Sequence, residues 1–379
     1  MVLYLLIFTM ISFMAYFETY VVEDDESERF RLVMTIIVIL FLSLVSGTRL
    51  LGGSDYYLYK AGYDAVPKMP AAFSKVIPIN NDIHVRGFDL GYLYITSFFK
   101  TLGFSYHGFC LIHSLFFNFS LYFGLKKYCK KFFIVLLVYI SKIFFYDTFI
   151  SMRQSITIAI FFLSLELIRK RKIIPYFIIC LLCLTIHTGS IIMIPAYFIT
   201  YVKLTKKRVL LFVLLFLPFG IMNILHISYL SGLVSLASGI LGGTSVGDKI
   251  TNYSAAGDNL SPIYLFEFLL LAILVIKNFD QLIEYNSENS FIIPMFLILW
   301  VLFTFFGSFS VITREKDYFI LTYAFLLSDL VSINKNSRMI LMAAMIGICG
   351  FEFFRYISLF DGGSLKNYSS WLINTIAKY

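Results

Sequence analysis

Charge is scarce in this 379-residue chain. Asp, Glu, Lys and Arg together make up 14% of it, against about 25% in a soluble domain. With 59% hydrophobic residues and a mean hydropathy of +0.82, the chain cannot cover a water-exposed surface, which excludes an ordinary soluble globular domain. Several familiar chemistries are missing as well. There is no glycine-rich phosphate loop ending in Lys-Ser or Lys-Thr, so no NTP-driven engine is expected. There is no HExxH and no Cys/His ligand spacing for zinc, and no G-x-S-x-G elbow. The five cysteines, Cys110, Cys129, Cys180, Cys183 and Cys349, lie in or beside apolar runs. The Cys180/Cys183 pair sits inside such a run without a second ligand pair, so all five read as packing residues. Asp55 and Asp89 belong to no paired-carboxylate motif, and neither a metal nor a cofactor is expected. No internal repeat is visible, which argues against a transporter built from two related halves. The net charge of +8 does not point to nucleic acid, because most of the excess lies in short loops between apolar runs.

What is present is a succession of those runs. A span needs about 20 apolar residues. Runs near that length fall at roughly 2–20, 31–48, 105–125, 131–147, 150–168, 173–186, 187–202, 209–228, 262–277, 290–309, 316–332 and 338–358. The chain opens directly in an apolar run with no basic segment ahead of it, so the first run is expected to be a retained span rather than a cleaved signal. The fold expected is all-α: residues 1–379 as a single polytopic transmembrane domain of about 11–12 spans. Two segments between runs are long. Residues 49–104 carry amphipathic stretches such as Leu90–Gly103, expected to be interfacial or re-entrant. Residues 228–262 are rich in Gly and Ser and read as a lid loop. The stretch 173–202 is expected to be a hairpin of two short spans, the alternative being one long tilted helix.

The basic residues sort into two populations. Lys126-Lys127 with Lys130-Lys131, Arg169-Lys170-Arg171-Lys172, and Lys203 with Lys206-Lys207-Arg208 are clusters in short gaps. Clustered Lys and Arg mark the cytoplasmic side. By alternation, the segments 49–104, 146–153, 228–262 and 309–316 and both termini then face outward, while the Lys277–Glu288 and Lys335–Arg338 turns face inward. Single arginines, Arg49, Arg86, Arg153 and Arg314, stand at the outer ends of the runs against that bias. Binding of an anion is a physical reason for them.

Each lone arginine has polar neighbours. Arg49 precedes Gly52-Gly53-Ser54-Asp55-Tyr56-Tyr57, where the glycines permit a turn that brings Arg49 and Asp55 together. Otherwise Arg49 snorkels and Asp55 is a plain loop carboxylate. Arg86 precedes Asp89, which sits where an N-cap would and can either cap the following helix or join a site. His84 reads as a loop residue. Arg153, followed by Gln154, lies in the first turn of an outer helix end, unfavourable against the helix dipole, and so needs a carboxylate or a phosphate. His187 is a titratable group within an apolar stretch, with Ser190 three residues on placed to orient its ring. Arg314 and Tyr318 are four apart and would share an α-helical face, with Glu315 and Asp317 near enough to absorb charge.

In order along the chain, these segments resemble the EpsG/Wzy-type family of bacterial polysaccharide polymerases. The resemblance rests on Arg49 followed by Gly53-Ser54-Asp55-Tyr56-Tyr57-Leu58-Tyr59, then Asp89-Leu90-Gly91-Tyr92 with Asp where Glu is usual, then Arg153-Gln154. His187-Thr188-Gly189-Ser190 with Pro195-Ala196-Tyr197 follows, and Arg314 with Tyr318 completes it. The resemblance implies an all-helical glycosyltransferase of GT-C-like type in the bacterial cytoplasmic (inner) membrane, its site facing the periplasm or exterior. Its substrate would be an undecaprenyl-diphosphate-linked oligosaccharide held among membrane lipid, with a chain-length regulator as partner. Arg153 and Arg314 would then hold the diphosphate, with Arg49 supporting the donor. His187, Asp55 or Asp89 would take the acceptor proton, and Tyr57, Tyr92 and Tyr318 would offer flat faces to sugars. An O-antigen ligase, a flippase of the same lipid-linked unit and a non-catalytic scaffold are the alternatives.

Overall fold

The computed structural model describes residues 1–21, 28–50, 55–71, 87–227, 229–230, 235, 239 and 262–376. Arg86 and His84, the glycine turn 51–54 and almost all of the expected lid 228–262 lie outside the described residues.

In chain order the helices are α1 (Val2–Tyr20), α2 (Glu28–Gly47), α3 (Tyr56–Ala65), α4 (Leu90–Thr101), α5 (Tyr106–Leu125), α6 (Phe132–Lys142), α7 (Met152–Arg169), α8 (Ile173–Ile186), α9 (Met193–Ile199), α10 (Lys206–Ile224), α11 (Pro262–Lys277), α12 (Phe279–Tyr285), α13 (Asn289–Thr304), α14 (Ile320–Ile333), α15 (Arg338–Leu359) and α16 (Trp371–Ile376). The fold is all-α and polytopic, as the sequence leads one to expect. The extended pairing among the described residues is a single bridge between Arg49 and Ser370. Helices at Val2–Tyr20, Arg29–Gly47, Tyr106–Tyr128, Lys206–Ile224 and Lys335–Leu359 are long and apolar enough to cross a membrane alone. α11 and α12 add a pair bent by 77°. Other apolar helices, such as α6 and α8, run only 10–17 residues, below the roughly 20 that a straight span needs. The run 131–147 is not one helix: α6 ends at Lys142 and the chain continues into a π turn, Tyr146–Ile150. The stretch 173–202 is not one long helix either. It breaks at His187, which is extended (φ −153°), before a 3-10 turn at Thr188–Ile192.

The chain divides into two compact units, Met1–Ile191 with Asn336–Tyr379, and Ile192–Lys335. In the first unit, polar side chains link helices whose facing surfaces are otherwise apolar, as is usual where lipid gives no hydrophobic drive for helix association. Ser46 bonds Ser114 between α2 and α5, Tyr139 Oη donates to Asn118 Oδ1 at 2.7 Å between α6 and α5, and His113 Nε2 lies 2.7 Å from Ser155 Oγ between α5 and α7. Gly124 lets α5 approach α7 so closely that a Cβ there would stand 2.6 Å from the Phe162 carbonyl. The two sequence clusters in this unit meet at one end of its helices. Lys127 pairs with Glu166 near the end of α7, and Lys131 Nζ donates to the Glu18 carbonyl at 2.7 Å. Arg153 stands at the opposite end of α7, about 24 Å away by helical rise.

The second unit is built around α13, apolar on all sides and buried over nearly its whole length, which marks a central helix. Its C-terminal carbonyls are satisfied from outside the helix. Asn223 Nδ2 donates to Thr304 O at 2.6 Å and Tyr229 Oη to Phe305 O at 2.6 Å. At the other end of α13, Asn286 and Asn289 each donate to Asp329 Oδ2 at 2.9 Å.

At the basic end of the first unit, the buried Glu18 carboxylate accepts from the backbone N–H groups of Phe132 (3.0 Å) and Phe133 (2.9 Å), the otherwise unpaired donors that open α6. Glu18→Ala is expected to lower stability by about 1–3 kcal/mol for each orphaned donor, and Glu18→Gln by less. Thermal unfolding of the purified protein checks this, and an unchanged melting temperature for Glu18→Ala contradicts the cap.

Candidate functional site

Why α3 packs as it does can be read from its aromatic spacing. Tyr56, Tyr59 and Tyr63 fall on one face and are buried, while Tyr57, expected to face sugar, is 67% exposed on the opposite side. The buried tyrosines join Phe88, Tyr92, Tyr106 and Phe109 in an aromatic layer. Within it, Tyr59 stacks on Phe88 with centroids 5.3 Å apart and meets Tyr92 edge-on at 5.7 Å. Lys100 of α4 fastens this layer by donating to the carbonyls of Tyr63 (3.1 Å), Asp64 (2.6 Å) and Val66 (2.7 Å), capping the C-terminus of α3.

Arg153 lies against this layer. Its Nη1 donates to Asp89 Oδ2 at 2.8 Å and to the Gly87 carbonyl at 2.9 Å, and its Nε lies 3.5 Å from Tyr59 Oη. The guanidinium also sits over the Phe88 ring, 5.1 Å from its centroid. The partner that the dipole argument requires is therefore a carboxylate from α4. Asp89 does occupy the N-cap position of α4, but its side chain makes no capping bond. It is spent on Arg153, with 15% and 20% of the two side chains exposed. Burial pushes the Tyr59 hydroxyl above the ordinary phenol range, partly offset by Arg153, and pushes Tyr92 well above it. Both are therefore neutral donors at physiological pH. Among the described residues, the buried Tyr92 hydroxyl has no hydrogen-bond partner.

Asp55 opens α3 one turn before Tyr59, with no side-chain cap bond. Gly91 sets the approach of α4 to α8: a Cβ there would stand 2.8 Å from the Thr185 carbonyl carbon. That contact carries the Asp89–Tyr92 element to the end of α8, two residues from His187. The structure thus gathers Asp55, Tyr59, Asp89, Tyr92 and Arg153 at one end of the first unit. Gln154 is buried next to Arg153, where Ser151 Oγ donates to its Oε1 at 3.1 Å.

Other expectations are corrected. Ser190 does not orient His187 through a helical i, i+3 contact. His187 is extended, the backbone N–H of Ser190 donates to the His187 carbonyl at 3.0 Å, and the buried Ser190 hydroxyl has no hydrogen-bond partner among the described residues. Arg49 does not snorkel. It is 1% exposed, donating from Nη1 to Ser46 O at 2.7 Å and from Nη2 to Phe149 O at 3.0 Å, with its guanidinium 5.0 Å from the Phe149 ring centroid. Those carbonyls belong to the C-terminal turns of α2 and of the π turn, where a cation is favourable. In the second unit, Arg314–Tyr318 is a 3-10 turn. At three residues per turn, positions four apart do not share a face, and Tyr318 is buried while Arg314 is half-buried. Asp317 is held by Lys316 at 3.0 Å.

Sequence reasoning passed over Tyr59, although the 56/59/63 spacing identifies it as inward-facing. It also missed the buried His113–Ser155 pair, where two polar residues 42 positions apart carry no local signal.

A many-spanning, all-helical membrane protein with an arginine–carboxylate site at its helix ends is the class defined here. A family model matches residues 32–370, and the chain belongs to the EpsG family, which points to polysaccharide polymerisation. No match was found among curated proteins or among solved structures.

The Arg153–Asp89 bond ties α7 to α4, so a double-mutant cycle on the two residues should give a coupling of about 0.5–3 kcal/mol in thermal or denaturant unfolding. Additive single-mutant effects would remove it. Gly91→Val should cost about 1–3 kcal/mol by overpacking, read as a lower melting temperature.

Proposed function

We propose that the protein is a membrane glycosyltransferase that polymerises oligosaccharide repeat units carried on undecaprenyl diphosphate, at the outer face of the bacterial cytoplasmic membrane. The observation that carries this is the Arg153 guanidinium. It is held by Asp89, the Gly87 carbonyl and Tyr59 at the helix end opposite the basic loops, and those loops mark the cytoplasmic side. Membership of the EpsG family supports the same reading.

In the reaction, the acceptor hydroxyl oxygen attacks the anomeric carbon of the donor sugar. A new glycosidic C–O bond forms and the bond from that carbon to the phosphate oxygen breaks. The electron pair leaves with the diphosphate, and the acceptor proton passes to a base. Charge grows on the departing oxygen, so a preorganised cationic donor lowers the barrier. Arg153 is that donor. Asp89 aims its guanidinium in advance, and Nη2, which makes no hydrogen bond among the described residues, is available to phosphate. Asp55, which acts electrostatically on Tyr59, and His187, two residues beyond the Gly91–Thr185 approach, are the candidate bases. Tyr92 supplies a hydroxyl donor without a partner among the described residues. Arg49 contributes positive potential from within the wall, since its hydrogen bonds go to carbonyls. Arg314, in the other unit, is a separate candidate for anion binding, tested by its own substitution. A chain-length regulator is the expected protein partner.

Arg153→Ala at wild-type protein level is expected to reduce long-chain polymer about 100-fold or more. Arg153→Lys keeps the charge but not the fork, and should retain part of the activity. Full-length polymer from Arg153→Ala would remove the role. A deletion strain that caps its acceptor with single units fits a polymerase. Accumulated lipid-linked polymer would identify a ligase, and units retained inside the cell a flippase.

A further inference from the structure

A cavity of about 290 Å³ lies inside the first unit between α4, α5 and α7. Ile95 and Phe99 of α4, Ile112 and Phe116 of α5, and Ile156 and Ile160 of α7 line it. Its wall is apolar apart from His113, whose Nε2 is bonded to Ser155. Such a space stays dry and takes an apolar guest. Phe116, 38% exposed, carries the wall to the surface of the helices.

The cavity's position ties it to the arginine site. On α7, Ile156 and Ile160 follow Arg153 at three and seven residues, so the three share a stripe. On α4, Ile95 and Phe99 follow Tyr92 at the same intervals. Two helical stripes therefore run from the cation and the unpartnered tyrosine hydroxyl directly into the cavity, over about 10 Å of helical rise. A ligand matching both ends has an anionic head and a hydrocarbon tail that leaves the head at once. A free sugar phosphate matches only the first half. An acyl chain of the bulk bilayer matches only the second.

We propose that this cavity is the tail subsite of the donor. It would hold the isoprene units nearest the diphosphate of a polyprenyl-linked substrate while Arg153 holds the diphosphate. The proposal rests on the functional reading above and deepens it. With the tail seated between α4 and α7, the scissile bond is fixed at a set height above Arg153. The site then discriminates by the length of the prenyl chain as well as by phosphate.

The test uses the full-length protein in nanodiscs of fixed lipid composition, with inorganic diphosphate, geranyl diphosphate and farnesyl diphosphate as probes. Wild-type protein should bind farnesyl diphosphate at least tenfold more tightly than inorganic diphosphate, with geranyl diphosphate between them. Ile160→Trp, which fills the cavity from α7, should bring the farnesyl-to-inorganic ratio down to about two. Ile95→Trp fills it from α4 and should do the same, so the proposal stays testable if one variant folds poorly, as judged by its melting temperature. A wild-type protein with no prenyl preference, or folded tryptophan variants that keep the tenfold ratio, overturns the tail subsite. In the second case the cavity belongs to bilayer acyl chains. The functional reading fails separately, if Arg153→Ala leaves inorganic diphosphate binding unchanged.

Discussion

An arginine in the first turn of a helix at a membrane boundary stands against the helix dipole, and the site depends on how that cost is met. Arg153 meets it with Asp89 from α4. The same guanidinium takes the Gly87 carbonyl and lies on Phe88. One side chain thus joins α7 to the chain that enters α4. Neither α3 nor α4 is long enough to span. Each is held by its buried aromatic face, by Lys100 wrapping the end of α3, and by this ion pair. A carboxylate that neutralises the cation also fixes the direction of its guanidinium.

The other lone arginine of the first unit has a different physical solution. Arg49 reaches the C-terminal carbonyls of two helical turns, where the dipoles favour a cation, and it needs no acid there. Its burial is completed by the Leu50 N–H donating to Ser369 O and the Trp371 N–H donating to Thr48 O, both at 2.9 Å. Two arginines that look alike in sequence, each alone at an outer helix end, therefore do different things. Arg153 pairs with a carboxylate across helices and keeps one guanidinium nitrogen without a hydrogen bond among the described residues. Arg49 is stitched into the backbone and shapes the wall.

The helices were legible because hydropathy over about 20 residues is a strong signal and membrane-exposed surface must be apolar. The breaks were less so. The π turn before Ser151, the extended His187 and the 3-10 turn at Arg314–Tyr318 are departures of a few residues inside apolar runs, and period counting cannot see them. Of the candidate site, the sequence presented Arg153, Asp89, Tyr92, Asp55 and His187 as separate fragments. The motif contains both Tyr57 and Tyr59, and the motif alone does not show which of them is buried. Only the face of α3, fixed by packing against Phe88 and Tyr106, distinguishes them.

Charge distribution by itself determined that this chain lives in a membrane, which ends of its helices carry the loops of like charge, and that Arg153 must have an anionic partner. Those conclusions follow from local cost: a desolvated charge or an exposed apolar run is unfavourable wherever the chain goes. Tertiary structure alone decided which anion that is, which arginine is consumed by helix ends, and that an apolar hollow lies among α4, α5 and α7. These depend on contacts between residues tens of positions apart, such as Asp89 with Arg153 and Arg49 with Phe149, and no local pattern encodes which distant groups the packed helices bring within 3 Å of one another.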